Sequence, residues 1–248
     1  MRRLGLIGGT GLDHFGLAAR SHDINGSFGH PSASVAEYHI GKLLVFFLPR
    51  HGEQHQLPPH AVNYRANIDA FRQLEVEGII AVNAVGGVSA AYPPGSLSLP
   101  DQLIDYTWGR EQTFSMAAGD GLQHIEFARP FDGRLRRGLL EAASTVNVDA
   151  IDGGCIAVSQ GPRLETAAEI RRFKQDGCNI VGMTSMPEAA LAREAGLDYA
   201  SLCVTANWAA GLAPEPVTMA AIEATLEIAM VNVRKLLSQF FEEFSNDH

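Results

Sequence analysis

The sequence predicts a single α/β domain over residues 1–248, with a mixed central β-sheet flanked by helices on both faces. Three observations carry that expectation. Short, continuous apolar runs such as Leu4–Ile7, Lys42–Leu48 and Ile79–Val85 (IIAVNAV) read as buried strands. Stretches with apolar residues at helical spacing alternate with them, as in Val62–Glu77 (VNYRANIDAFRQLEVE), which stops at Gly78. That alternation is the pattern of a sheet covered by helices. Finally, 248 residues with 46% hydrophobic content lie within the range of one large domain with a full core.

Composition narrows the class of partner. A net charge of −9 argues against nucleic acid, whose binding relies on a basic footprint, and implies that any anionic ligand has a locally basic site. The opening MRRLGLIGGTG is broken by glycines too early for a signal peptide, and no later run reaches membrane-spanning length. Cys155, Cys178 and Cys203 lie in apolar, strand-like surroundings and form no CxxC pair. They read as buried small hydrophobes, which fits a cytoplasmic protein better than a disulfide framework or a zinc site.

Taken in order, the first strand is followed by Gly8-Gly9-Thr10-Gly11, either a backbone cradle for an anion or a tight turn without a ligand. The run Lys42–Leu48 breaks at Pro49-Arg50-His51-Gly52, which offers a guanidinium fork and an imidazole to a phosphate, or else is a solvated basic loop. His51 and His55 have a metal-helix spacing, but Gly52 lies between them where a zincin carries Glu, so no metal is expected. After Pro93-Pro94-Gly95, Leu97–Ile104 reads as one short strand and Thr107–Gln123 as a long loop leading to His124. Asp132–Val146 is an amphipathic helix, Gly153–Ser159 a strand and Thr166–Lys174 a helix. Glu165 stands at that strand-to-helix junction, facing the sheet end or serving the helix dipole. Asn179–Gly182 is a strand, and Thr184, Ser185 and Pro187 open the helix Glu188–Ala195 as a second anion-receptive terminus. The run Ser201–Leu212 (SLCVTANWAAGL) delivers Asn207 to the carboxyl end of the sheet, as a reader of substrate or a cap on the turn. Thr218–Phe241 closes the chain as a long helix.

Several stretches together resemble the trimeric purine nucleoside phosphorylases and their methylthioadenosine phosphorylase branch: GGTGL, PRHG followed by HAVNYRAN, SQGPRLETAAEIR, VGMTSMPEAALAREAGLDYA and VTANWA. They span nearly the whole chain in the same order. The resemblance implies that Thr10, Arg50, His51, Thr184 and the Ala84 backbone bind phosphate, and that Met183 contacts the ribose. It further implies that His124 is lent to a neighbouring subunit, hence a homotrimer or a dimer of trimers. Inorganic phosphate is then a co-substrate, with no other cofactor and no metal. The chain departs from the methylthioadenosine branch at Glu53, Leu164, Gly182 and above all Asn207, where that branch places Asp with a second Asp two positions on; here that second position is Ala209.

An Asn at this position donates to O6 of a 6-oxopurine and accepts from a protonated N7, while an ionised Glu165 accepts from the N1–H that adenine lacks. Met219 and Ile222 stand where the ordinary purine phosphorylases carry a polar partner for the 5′-hydroxyl, and either make that end of the pocket apolar or pack within a helix core. An oxopurine end joined to an apolar 5′ end leads to phosphorolysis of 5′-methylthioinosine. The alternatives are methylthioadenosine and the unmodified 6-oxopurine nucleosides. Asn207 and His51 are the residues expected to act in catalysis.

Overall fold

A computed structural model describes residues 1–12, 14–115, 123–131 and 133–246. In chain order the elements are β1 (Arg2–Gly8), β2 (Arg20–His22), β3 (Val35–Ile40), β4 (Leu43–Pro49), α1 (Tyr64–Gln73), β5 (Gly78–Gly87), β6 (Leu97–Leu99), β7 (Gln102–Asp105) and α2 (Arg134–Thr145). They continue with β8 (Ala150–Asp152), β9 (Cys155–Val158), α3 (Ala167–Gln175), β10 (Ile180–Gly182), α4 (Ser185–Glu194), β11 (Asp198–Trp208) and α5 (Met219–Asn246).

The sheet is mixed and branches at β5. Along one edge β11 runs parallel from Asp198 beside Gly78 to Trp208 beside Gly87. The other edge is shared, because β1 pairs in parallel with Ile79–Ala81 while β10 pairs antiparallel with Gly86 and Gly87. Residues 82–85 therefore lie between two partners, and the sheet parts there into two arms. One arm continues from β1 through β4, β3 and β2, the other from β10 through β9 and β7. The candidate site residues line a cavity at this parting.

Burial follows the two-residue period of the pleat. Leu4, Leu6, Ile80, Val82, Leu202 and Val204 pack in the core that includes α2 and α5, whereas Ile7, Ile79, Ala81, Tyr199 and Cys203 pack in the core that includes α1 and α4. Helices on both faces explain why the central strands read as unbroken apolar runs. Each fully buried Leu or Ile here contributes about 1.5–3 kcal/mol of transfer free energy.

Several boundaries differ from expectation for identifiable reasons. The stretch Leu97–Ile104 is two strands, broken at Pro100-Asp101, since Pro100 has no N–H for a ladder. Arg136 holds the carbonyls of Leu99 and Pro100, β6 joins β11 and β8, and β7 goes to β9 on the other side. The first residues of α4 are not continuous helix, because Met186 is extended (φ −117°, ψ 135°) and Thr184 makes no side-chain cap bond. The anion-receptive terminus expected there is thus a bent segment, with the regular helix beginning at Pro187. The last helix runs to Asn246, past the expected end at Phe241. Cys178 and Cys203 are buried, but Cys155 is only partly so, with its Sγ 4.0 Å from that of Cys178 and all three thiols free.

At the start of α3 the Thr166 hydroxyl accepts from the Glu169 amide at 3.2 Å, while the Glu169 carboxylate accepts from the Thr166 amide at 2.7 Å. This reciprocal cap fixes the entry to the helix immediately after Glu165. Thr166→Ala is expected to lower stability by about 1 kcal/mol, read as a fall in the urea midpoint at unchanged slope.

Candidate active site

A cavity of about 400 Å³ opens at the parting of the sheet. Its lining includes Thr10 from the loop after β1, Arg50 and His51 after β4, Ala84 of β5 and Thr184 before α4. Strands that run parallel end there together, which is why residues far apart in sequence meet.

Arg50 is 1% exposed and is held by Glu188, also fully buried, through Nε–Oε2 and Nη2–Oε1 contacts of 2.8 Å each. Nη1 donates to the Val82 carbonyl at 3.2 Å, on the edge of β5 that β1 and β10 leave uncovered. One hydrogen on each of Nη1 and Nη2 remains, and the residue lines the cavity, so the fork is oriented yet can still meet an anion. Burial alone would lower the guanidinium's pKa, but the Glu188 carboxylate outweighs it and holds Arg50 above its ordinary range. Tyr199 Oη donates to the same carboxylate at 2.8 Å, and burial raises its own pKa well above normal. Gly9 is needed beside this pair, since a Cβ there would lie 2.5 Å from the Val82 oxygen and 3.0 Å from Arg50 Nη1.

The hydrogen-bond directions at Thr184 follow from a backbone carbonyl. Asn83 Nδ2 lies 3.3 Å from Ala81 O, which only accepts, so this atom is the amide nitrogen, and it also donates to Ser201 Oγ at 2.7 Å. Asn83 Oδ1 then faces Thr184, whose hydroxyl donates to it at 3.1 Å. His51 Nδ1, 2.8 Å from Leu57 O, likewise carries a proton, and its ring lies 4.7 Å from that of His55. Among the described residues no group of His, Cys, Asp and Glu side chains could hold a metal ion.

Leu164, Glu165, Asn207 and Ala209 also line the cavity. Glu165 Oε1 accepts a short hydrogen bond from Ser159 Oγ at the end of β9, which orients the carboxylate. The ladder between β11 and β5 slips between Thr205 and Asn207, and such a bulge re-aims the following side chains. Asn207 Nδ2 donates to Trp208 O at 2.7 Å, leaving its second N–H and Oδ1 for other partners. Strand pairing continues through Trp208, so Asn207 lies within β11 at its bulge and does not end it.

Met183 lines the cavity as well. Met219, the first residue of α5, and Ile222 complete the lining. Met219 is 60% exposed, so packing in a helix core does not describe it, whereas Ile222 both joins the core and meets the cavity. His124 is exposed and does not line this chain's own cavity. Much of the long loop before it, residues 116–122, lies outside the described residues.

The family model described as "Phosphorylase superfamily" matches residues 3–242. The chain belongs to the phosphorylase superfamily. Among curated relatives it is 46% identical to a Xanthomonas campestris protein named "Probable S-methyl-5'-thioinosine phosphorylase", with 95% of this chain and 96% of that protein aligned. A Pseudomonas syringae protein of the same name is 47% identical over 94% of this chain and 96% of its own length. Among solved structures, methylthioadenosine phosphorylase from Schistosoma mansoni in complex with adenine superposes with a TM-score of 0.94 at 32% identity, covering 100% of this chain and 93% of that one.

Sequence reasoning did not find Asn83, Ser159, Glu188 or Tyr199, which hold other residues in place. Asn83 carries the one available signal, a polar side chain inside the apolar run IIAVNAV. Glu188 gives none, since an acid in a first helical turn has an ordinary explanation in the helix dipole.

Proposed function

We propose that this chain catalyses the phosphorolysis of S-methyl-5′-thioinosine to hypoxanthine and 5-methylthioribose 1-phosphate. What supports this reading is that an Asn207 amide and a Glu165 carboxylate line the same cavity as Arg50 and Thr184. Glu165 accepts from N1–H of the oxopurine, while Asn207 donates to O6 and accepts from N7–H as the base departs. Arg50, Thr10, His51, Thr184 and the Ala84 backbone hold phosphate beneath C1′, with Met183 against the ribose. Phosphate is already a nucleophile, so the chain supplies positioning and stabilisation of charge on the leaving purine. No cofactor enters this scheme.

The apolar 5′ end, Met219 and Ile222, favours a methylthio group over a hydroxyl. Met219→His is expected to raise kcat/KM for inosine relative to methylthioinosine, and an unchanged ratio removes Met219 from the 5′ pocket. The names of the Xanthomonas and Pseudomonas relatives agree with the methylthioinosine reading. The Schistosoma enzyme's name favours the second reading, methylthioadenosine, but its weight is reduced by Glu165, whose carboxylate meets a lone pair at adenine N1 where an oxopurine offers N1–H. His124, exposed on the long loop, is proposed to serve the 5′ end of a neighbouring subunit's site in a cytoplasmic homotrimer or dimer of trimers.

Release of free base from methylthioinosine, methylthioadenosine, inosine and adenosine, each with and without phosphate, tests the proposal. The expected result is phosphate-dependent release of hypoxanthine from methylthioinosine above all others. Release that ignores phosphate, or none, contradicts it.

A further inference from the structure

Arg110 does not line the cavity, yet it joins three segments that do. Its Nη1 donates to the carbonyl oxygens of Met183 at 2.8 Å and Met186 at 2.5 Å, and its Nη2 donates to that of Gln160 at 2.7 Å. Nη1 also lies 3.4 Å from Tyr64 Oη, which itself donates to the Pro59 carbonyl at 2.9 Å. Pro59, Met183 and, from the turn after Gln160, Pro162, Leu164 and Glu165 all line the cavity. One guanidinium thus ties together the turn after Gln160, the segment Met183–Met186 and, through Tyr64, the loop after His51.

The bond to Met183 O reaches further than that residue. A trans peptide is planar, with its C=O and N–H on opposite sides, so fixing the Met183 oxygen also fixes the direction of the Thr184 N–H. Thr184 is the residue assigned above to phosphate. The bond to Gln160 O anchors the turn that carries Glu165. Charge balance alone does not explain the arrangement, because every close partner is a neutral oxygen. Arg110 Nε is buried without a partner among the described residues, and burial lowers the guanidinium's pKa.

We infer that Arg110 is a positioning residue, holding the Met183–Thr184 peptide and the Gln160–Glu165 turn at the separation that phosphate and base require in one site. This rests on the phosphorolysis reading above. A lysine cannot reproduce it, since a single ammonium lacks the planar fork that reaches Gln160 from one nitrogen and Met183 and Met186 from the other.

The test compares Arg110→Ala and Arg110→Lys with the unaltered chain, using whichever nucleoside of the panel the latter cleaves best. Binding of inorganic phosphate by calorimetry serves as a readout that needs no turnover. A misplacement of about 1 Å lowers rates about 100-fold, so the folded Ala variant is expected to lose 30-fold or more in kcat/KM, roughly, and to bind phosphate about ten-fold more weakly. Millimolar guanidinium ion is expected to restore part of that activity, which a mere loss of stability would not allow. The Lys variant is expected to lose about ten-fold, the loss lying between the other two proteins. A folded Ala or Lys variant with unaltered kcat/KM and phosphate affinity overturns the inference, as does a loss of activity matched by the loss of folded protein and insensitive to guanidinium. An unaltered chain that cleaves no nucleoside overturns the proposed function instead, and the phosphate titrations then decide the role of Arg110 alone.

Discussion

Glu188→Ala is expected to lower the free energy of unfolding by about 3–5 kcal/mol, the usual consequence of removing one member of a buried ion pair. Arg50 is 1% exposed beneath the parting of the sheet, so the Nε and Nη2 hydrogens that face Glu188 are left without a protein acceptor when that partner is removed. Tyr199 loses the acceptor of its hydroxyl at the same time. The guanidinium would then turn toward the remaining carbonyls or draw water into the core, and the orientation that presents Nη1 and Nη2 to the cavity is lost. The phosphate KM is accordingly expected to rise by about ten-fold or more, in proportion to a lost charge-assisted contact of 1.5–3 kcal/mol, roughly. Urea unfolding monitored by circular dichroism checks the first effect and initial rates against phosphate concentration the second. Glu188→Gln, which keeps the shape and one acceptor, should fall between. An unchanged midpoint with an unchanged phosphate KM would mean that Arg50 is neither supported by Glu188 nor used for phosphate.

Asn207→Asp is expected to lower the ratio of kcat/KM for methylthioinosine over methylthioadenosine by about 100-fold, within the range by which a site matched to one hydrogen-bond pattern rejects another. An ionised Asp faces the oxopurine O6 with a second acceptor. A protonated one donates to adenine N7 and accepts from the 6-amine. Glu165 is untouched by this change, its carboxylate still fixed by Ser159 and still suited to N1–H, so adenine remains disfavoured by one interaction. The variant should therefore become less selective without a full reversal. The strand itself should tolerate the change, since Asn207 sits at a bulge on the cavity wall and not in the packed core.

How much of this was legible in the sequence depended on what each residue does. Strands buried on both faces announce themselves as runs such as IIAVNAV, and the order of strands and helices followed from them. β2, β3 and β8 were not found, because the edge strand Arg20–His22, its neighbour Val35–Ile40 and the short Ala150–Asp152 are largely half-buried or exposed and carry no continuous apolar run. The break at Pro100 was readable in principle from proline's missing donor, but the parting of β6 from β7 onto different neighbours is tertiary. Thr10, Arg50, Thr184, Glu165 and Asn207 were visible because each interrupts or ends an apolar run where parallel strands deliver side chains. Asn83 was marked only as a polar side chain inside an apolar run, whereas Glu188, Ser159 and Arg110 act through partners between six and 138 positions away, and no local pattern marks such a residue.

The central claim is that the base end of the cavity is built for oxygen at purine C6. Its most direct measurement is kcat/KM for methylthioinosine and methylthioadenosine on the unaltered protein at saturating phosphate. A preference of about 100-fold or more for methylthioinosine is the predicted result. Equal turnover of the two, or a preference for the 6-amino compound, would contradict the assignment of Asn207 and Glu165 to an oxopurine.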